Sequence, residues 1–139
     1  MKASPRSISR HVILELFSST GSALVEAELR YDADAPYAVA VAFQLDGSEL
    51  VWVFGRDLML RGVAEPAGDG DVQVFPSLDD DGRLVVMLQL SSPSGLALVE
   101  AKARDVIDFL ASTRAAVWPG TESDYLRVDD AIQALLVDD

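Results

Sequence analysis

The sequence predicts an α+β domain in which two antiparallel strand meanders are each followed by helix. Short runs of alternating apolar and polar residues, the period of a half-buried strand, fill the first half of the chain and return after Gly70. Clusters of Gly, Pro, Asp and Ser separate the runs. The alternation yields to helical spacing twice, over 56–62 and again over 102–116. Strands in runs followed by helices fit an α+β arrangement better than a parallel βαβ sheet.

Ile8 to Phe17 is the first expected strand, with Val12, Leu14 and Leu16 on one face. Ser18-Ser19-Thr20-Gly21 is a turn, and Ala23 to Tyr31 resumes the alternation, placing Val25, Ala27, Leu29 and Tyr31 opposite Leu24, Glu26, Glu28 and Arg30. Asp32-Ala33-Asp34-Ala35-Pro36 interrupts it, because proline has no ladder donor and aspartates favour local turns. Tyr37 to Leu45 is the third strand, Asp46-Gly47-Ser48 a tight turn and Leu50 to Phe54 the fourth strand. The run Leu50–Phe54 is apolar throughout, so it is expected to be covered on both faces, by helices or by another subunit.

Residues 56–62 form a short helix, with Gly62 as its C′ glycine. After the loop Glu65-Pro66-Ala67-Gly68-Asp69-Gly70 come strands over Asp71–Phe75, Leu84–Leu90 and Leu96–Ala101. Leu78 to Gly82 and Ser91 to Gly95 carry the connecting turns. The helix over 102–116 buries Val106, Ile107 and Leu110, and Trp118-Pro119-Gly120 stops it. A last helix near 125–136 buries Val128, Ile132, Leu135 and Leu136, with Thr121 or Ser123 as its cap. The layout reads as two related sheet-plus-helix halves within one domain, residues 1–139, with 1–7 disordered.

Composition bounds the function. Half of the 139 residues are apolar, enough for a core without disulfides or metal. With 23 acidic and 11 basic residues the net charge is −12, and the basic residues are scattered, so nucleic acid and anionic bilayers are poor partners. No apolar run approaches the roughly 20 residues of a spanning helix, and the apolar stretch after the basic start is too short for a signal peptide. The absence of cysteine excludes thiolate chemistry and favours the cytoplasm.

No catalytic, cofactor or metal site is legible. His11 is the one histidine and sits in a strand, so it has neither a second ligand nor a nucleophile to serve. The acid groups Asp32/Asp34, Asp69/Asp71, Asp79/Asp80/Asp81 and Asp129/Asp130 lie side by side, mostly in turns, where opposed catalytic carboxylates do not occur. Asp79-Asp80-Asp81-Gly82 lacks the spaced ligands of a calcium loop. Gly68-Asp69-Gly70 has no Gly-Lys-Ser/Thr after it to cradle phosphate. Trp52 and Phe54 could stack on bases if exposed, but core or interface is the stronger expectation. Six acids between Glu122 and Asp139 face Arg127 alone, a candidate docking surface that includes Asp124, Asp129 and Asp130.

Several strings in order resemble the SsgA-like sporulation and septum-formation family of actinomycetes, closest to its SsgB branch. They are Leu29-Arg30-Tyr31-Asp32 with Pro36-Tyr37-Ala38-Val39, and Trp52-Val53-Phe54 with Arg56-Asp57-Leu58. Gly70-Asp71-Val72 with Val74 and Pro76 follows, then Leu90-Ser91-Ser92-Pro93 with Gly95, Ala97-Leu98 and Glu100-Ala101. Phe109-Leu110, Thr113, Val117 and Pro119-Gly120-Thr121-Glu122 complete the set. The resemblance implies a non-enzymatic cell-division protein recruited to septa, with the GTPase FtsZ and sister SsgA-like proteins as partners. It also implies a subunit like Whirly and mitochondrial guide-RNA-binding proteins, assembled as a trimer. That fold analogy supplies the alternative, a single-stranded nucleic-acid binder. The chain departs from the family pattern at Gly55, where alanine is expected, at Trp118, where proline is expected, and in a longer start.

Overall fold

The computed structural model describes residues 6–126. Four strands come first: β1 (Ser7–Ser18), β2 (Gly21–Asp32), β3 (Ala38–Leu45) and β4 (Ser48–Gly55). Helix α1 (Arg56–Gly62) precedes β5 (Val72–Leu78), β6 (Leu84–Ser92) and β7 (Gly95–Lys102), and α2 (Ala103–Ala116) follows. A 3-10 turn covers Glu122–Tyr125. Ser7 opens β1, and the Arg6 carbonyl accepts from Ala33 N–H, so these two residues are not part of a disordered arm.

The strands form one antiparallel sheet in the order β4-β3-β2-β1-β7-β6-β5. The two predicted meanders are therefore fused, not separate halves. Their seam is short: Glu15 faces Glu100, Leu16 faces Val99 and Phe17 faces Leu98. The helices cross between the meanders as well, α1 packing on β5 and α2 on β1, β6 and β7. Two-residue loops close three hairpins, and Gly47 at φ 71° gives the β3–β4 turn the left-handed residue that a twisted hairpin needs.

The alternation in β1 and β2 is realised as read: Val12, Leu14, Ala27, Leu29 and Tyr31 are buried. They join Val39, Val41, Val99, Val106 and Phe109 in the core between the curled sheet and the helices. On α2 the buried stripe is Val106, Phe109, Leu110 and Thr113, and Ile107 is exposed. Residues 106, 109, 110 and 113 follow the helical period, which places Ile107 one position off the stripe.

Two readings change. Gly62 ends α1, but not as a left-handed C′ residue: Val63 after it is still helical, and Gly62 is absent from the positive-φ glycines. It is glycine because a Cβ there would lie 2.3 Å from Val74 Cγ1, so helix and strand meet backbone to side chain. The apolar run in β4 is not covered on both faces within this chain, since Leu50, Val51 and Val53 are exposed. The strand buried on both faces is β6, where Val85, Val86, Met87 and Leu88 are all inside. Most of the last predicted helix, with Val128, Ile132, Leu135 and Leu136, lies outside the described residues.

Candidate functional site

Arg56 follows the last residue of β4 and opens α1. Its side chain is 1% exposed and is held from three sides. Nη1 donates to the carbonyls of Thr113 (3.1 Å) and Val117 (2.7 Å) at the end of α2, where the negative end of the helix dipole favours a cation. Nη2 donates to Glu122 Oε2 at 2.8 Å. The guanidinium carbon lies 5.1 Å from the centre of the Tyr31 ring, and the Tyr31 hydroxyl donates to the Pro36 carbonyl. Hydrogen bonding from Arg56 holds the Glu122 carboxyl below the usual glutamate range, while burial pushes the Tyr31 phenol up. One side chain thus ties β4, the end of α2 and the 117–126 segment together. The one carboxylate beside it among the described residues, Glu122, is engaged in holding it, so its role is positional.

That anchored junction holds an edge strand open. Arg56 N–H donates to the Tyr37 carbonyl, which makes Tyr37/Arg56 a hydrogen-bonded pair. The alternation of an antiparallel ladder then makes Val39/Phe54, Val41/Trp52 and Phe43/Leu50 hydrogen-bonded pairs as well. The N–H and C=O groups of Glu49, Val51, Val53 and Gly55 accordingly point away from β3, along an edge that no described strand covers. Val51 and Val53 lie opposite Ala42 and Ala40 of β3, and Arg30, Gln44 and Glu49 continue the same face of the sheet. On the other face Leu45, Leu50, Trp52, Phe43 and Leu16 line an almost wholly apolar cleft with Leu90 of β6.

Charge is low here. The sole charged residue of β4 is Glu49, gripped by Arg30 through two bonds of 3.0 and 2.6 Å. This pairing pulls the Glu49 carboxyl down to about 2, and Arg30 also donates to Glu28. Across the sheet lies the opposite surface: Glu15, Glu100, Asp79, Asp80 and Asp81 share one polar hollow. Burial, together with Glu15, Asp79 and Asp80, pushes the Glu100 carboxyl up.

The residues weighed on sequence are spread apart. His11 is exposed, its Nε2 2.9 Å from Glu26. Asp32 Oδ1 accepts from Asp34 N–H, and Asp79 Oδ1 from Asp81 and Arg83 N–H, so these acids shape turns. Asp69 and Asp71 are exposed; Asp129 and Asp130 fall outside the described residues. No group of metal-ligating side chains occurs among the described residues. Gly68, at φ 93°, packs against the Val72 carbonyl. Phe54 is buried and Trp52 half-buried on the inner face, so they form no exposed stacking platform. Thr121 donates to the Trp118 carbonyl and makes no side-chain cap bond to the 3-10 turn at Glu122–Tyr125; the helix it was expected to cap lies outside the described residues. Glu122, assigned to the docking surface, is spent on Arg56 and on Gly120 N–H, whereas Asp124 is exposed. Arg56 was missed as a site. Nothing in the residues around it marks an arginine for burial, since its partners lie 57 or more positions away.

The model of the family described as "Streptomyces sporulation and cell division protein, SsgA" matches residues 25–122. The chain belongs to the SsgA family. Within it, the chain is 46% identical over 125 residues to the sporulation-specific cell division protein SsgB of Saccharopolyspora erythraea, covering 89% of this chain and 87% of that one. It is 45% identical over 133 residues to the SsgB of Streptomyces coelicolor, covering 94% and 96%. The SsgA-like protein of Thermobifida fusca has the same fold in its crystal structure, with a TM-score of 0.84 at 34% identity over 96% of this chain and 98% of that one. An SsgB structure from work on longitudinal cell division in Streptomyces coelicolor superposes with a TM-score of 0.82 at 44% identity, over 91% of this chain and all of that one. These SsgA relatives are named as sporulation and cell division proteins, which supports a cell division role for this chain. Among the described residues no helix is long and apolar enough to cross a membrane.

Proposed function

We propose that the protein is a non-enzymatic adaptor of sporulation-specific cell division, acting in the cytoplasm at the septum. In this reading the whole chain works as one domain, with FtsZ and sister SsgA-like proteins as partners and a trimer of Whirly-like subunits as the working unit. The observation that carries it is the 45% identity to an SsgB protein over nearly the full length of both chains. The inward placement of Trp52 and Phe54 and a charge of −12 count against the rival, a single-strand nucleic-acid binder.

A fluorescent fusion in a sporulating host, imaged with FtsZ, is expected to mark septa as they form. Diffuse signal, with normal septa in a deletion strain, would overturn the reading, and a salt-sensitive shift of single-stranded DNA would favour the rival. Replacing Asp124, Asp129 and Asp130 together is expected to weaken co-sedimentation with FtsZ. Unchanged co-sedimentation would move the partner surface away from the acidic C-terminal stretch.

A further inference from the structure

We propose that the exposed flank of α2 is a docking surface for an acidic peptide of a partner protein, one that carries an apolar side chain between its carboxylates. The inference rests on a single subunit and not on the septation reading. It starts from the spacing along α2: Arg104, Ile107, Ala111 and Arg114 recur every three or four positions and so share one flank of the helix. All four are exposed. Trp118, just past the helix and 61% exposed, continues this flank, because the Arg114 guanidinium carbon lies 5.1 Å from the centre of its ring. The stripe that holds α2 to the sheet is a different one, Val106, Phe109, Leu110 and Thr113.

Charge names the occupant. Among the described residues Arg83, Lys102, Arg104 and Arg114 form no ion pair, and every other described arginine is already held by a carboxylate of the same chain. Three of those four cations sit on α2 or directly before it. The acids of the helix, Asp105 and Asp108, are turned to Arg10 and leave the flank cationic in a chain whose net charge is −12. Stacking on Trp118 orders the Arg114 guanidinium by its face and leaves its N–H edge free to grip a carboxylate through two bonds. Arg104 lies about 15 Å from Arg114 along the helix axis, with Ile107 and Ala111 between them. The surface thus fits two carboxylates at that separation with an apolar side chain between. A phosphate polymer is charged at every unit and is repelled by the rest of the chain, whereas a peptide can place its acids at the arginines alone.

Fluorescence anisotropy of a labelled peptide titrated with the full chain tests this. The probe is a helical peptide of the same 14-residue length as α2, with leucines along one face and glutamates beside them. Its affinity is expected to fall about tenfold in R104Q/R114Q, and to fall for the wild type as salt rises. R83Q, which removes an equally exposed and unpaired arginine from the turn before β6, keeps the wild-type affinity. As a second measurement, the peptide is expected to shift the tryptophan emission of the wild type, and W118F to lose that shift while Trp52 remains. All the substituted positions are exposed, so the variants are expected to melt with the wild type. Equal affinity of wild type and R104Q/R114Q, or an equal loss in R83Q, would overturn the proposal. So would tighter binding of a single-stranded oligonucleotide of the same charge, which would make the flank a nucleic-acid platform. A wild type that does not bind the peptide would overturn it as well; if binding then appears on removal of residues 127–139, the flank belongs to the chain's own terminal segment.

Discussion

β4 and β5 are both edge strands of one sheet, similar in length and both rich in valine with a phenylalanine, yet they meet solvent very differently. β5 is guarded. Pro76 removes a donor from its edge, Ala67 forms a two-way bridge to Val74, and α1 presses Gly62 onto Val74. β4 has none of these, and its outward groups and valines are exposed. Edge strands are ordinarily blunted against pairing. A sheet that blunts one edge and leaves the other bare marks the bare one as a surface kept for contact. Their anchors differ in kind too: a buried cation holds the end of β4, and close packing holds β5.

The most severe way to break this arrangement is at the cation. Arg56→Ala takes the Arg56 donor from the Val117 carbonyl, one of two donors from the Thr113 carbonyl and the cation from the Glu122 carboxylate, and is expected to cost about 3–5 kcal/mol in urea denaturation. The same pair sets an acid limb. Because the folded Glu122 carboxyl lies below its unfolded value, its stabilisation is present above the ordinary glutamate range and is lost as pH falls through the folded value. Glu122→Gln is expected to flatten stability against pH in that acid window.

On the guarded side, Gly62→Ala forces a methyl into Val74 and is expected to cost about 1–3 kcal/mol. Val74→Ala in the same chain should return part of that loss, a coupling that double-mutant denaturation measures. Gly55→Ala sharpens the contrast. A Cβ on Gly55 meets nothing nearer than 3.9 Å and its φ is −68°, so alanine should stabilise by about 0.4–1 kcal/mol, through the entropy of the unfolded chain.

The smallest effect lies at the seam between the two meanders, where Glu15 directly faces Glu100. Like charges across strands are destabilising, so Glu100→Gln is expected to add about 0.2–1 kcal/mol at neutral pH. The folded Glu100 carboxyl is raised, so its contribution is favourable below the ordinary glutamate range and fades as pH rises through the raised value. Thermal melts from acid to neutral pH should therefore show the variant gaining on the wild type as pH rises.

Strand order along the chain was legible because it rests on local chemistry. The period-two alternation of Val12, Leu14, Ala27 and Leu29, the Asp46-Gly47 turn and the Pro119 stop each act within a few residues. The acids misleading to a site search were legible as turns for the same reason. Arg56 was not legible, since its partners Thr113, Val117 and Glu122 are 57 or more positions away and no local pattern marks a cation for burial. Ile107 was placed on the buried face and Phe109 left off it because both lie near an apolar stripe, and only the direction of α2 over the sheet chooses between them.

What the sequence determined by itself was therefore the inventory: seven strands and two of the helices, their turns, and an excess of acidic over basic residues. These follow from alternation, turn residues and counts of charge, which need no knowledge of what lies opposite. Tertiary structure alone decided that the meanders fuse through β1 and β7, that Gly62 is glycine for Val74, and that the apolar run of β4 lies open while β6 is sealed on both faces. An apolar strand carries the same pattern at the centre of a core and at a bare edge. Which of the two it becomes depends on the strands and helices that long-range packing brings to its sides.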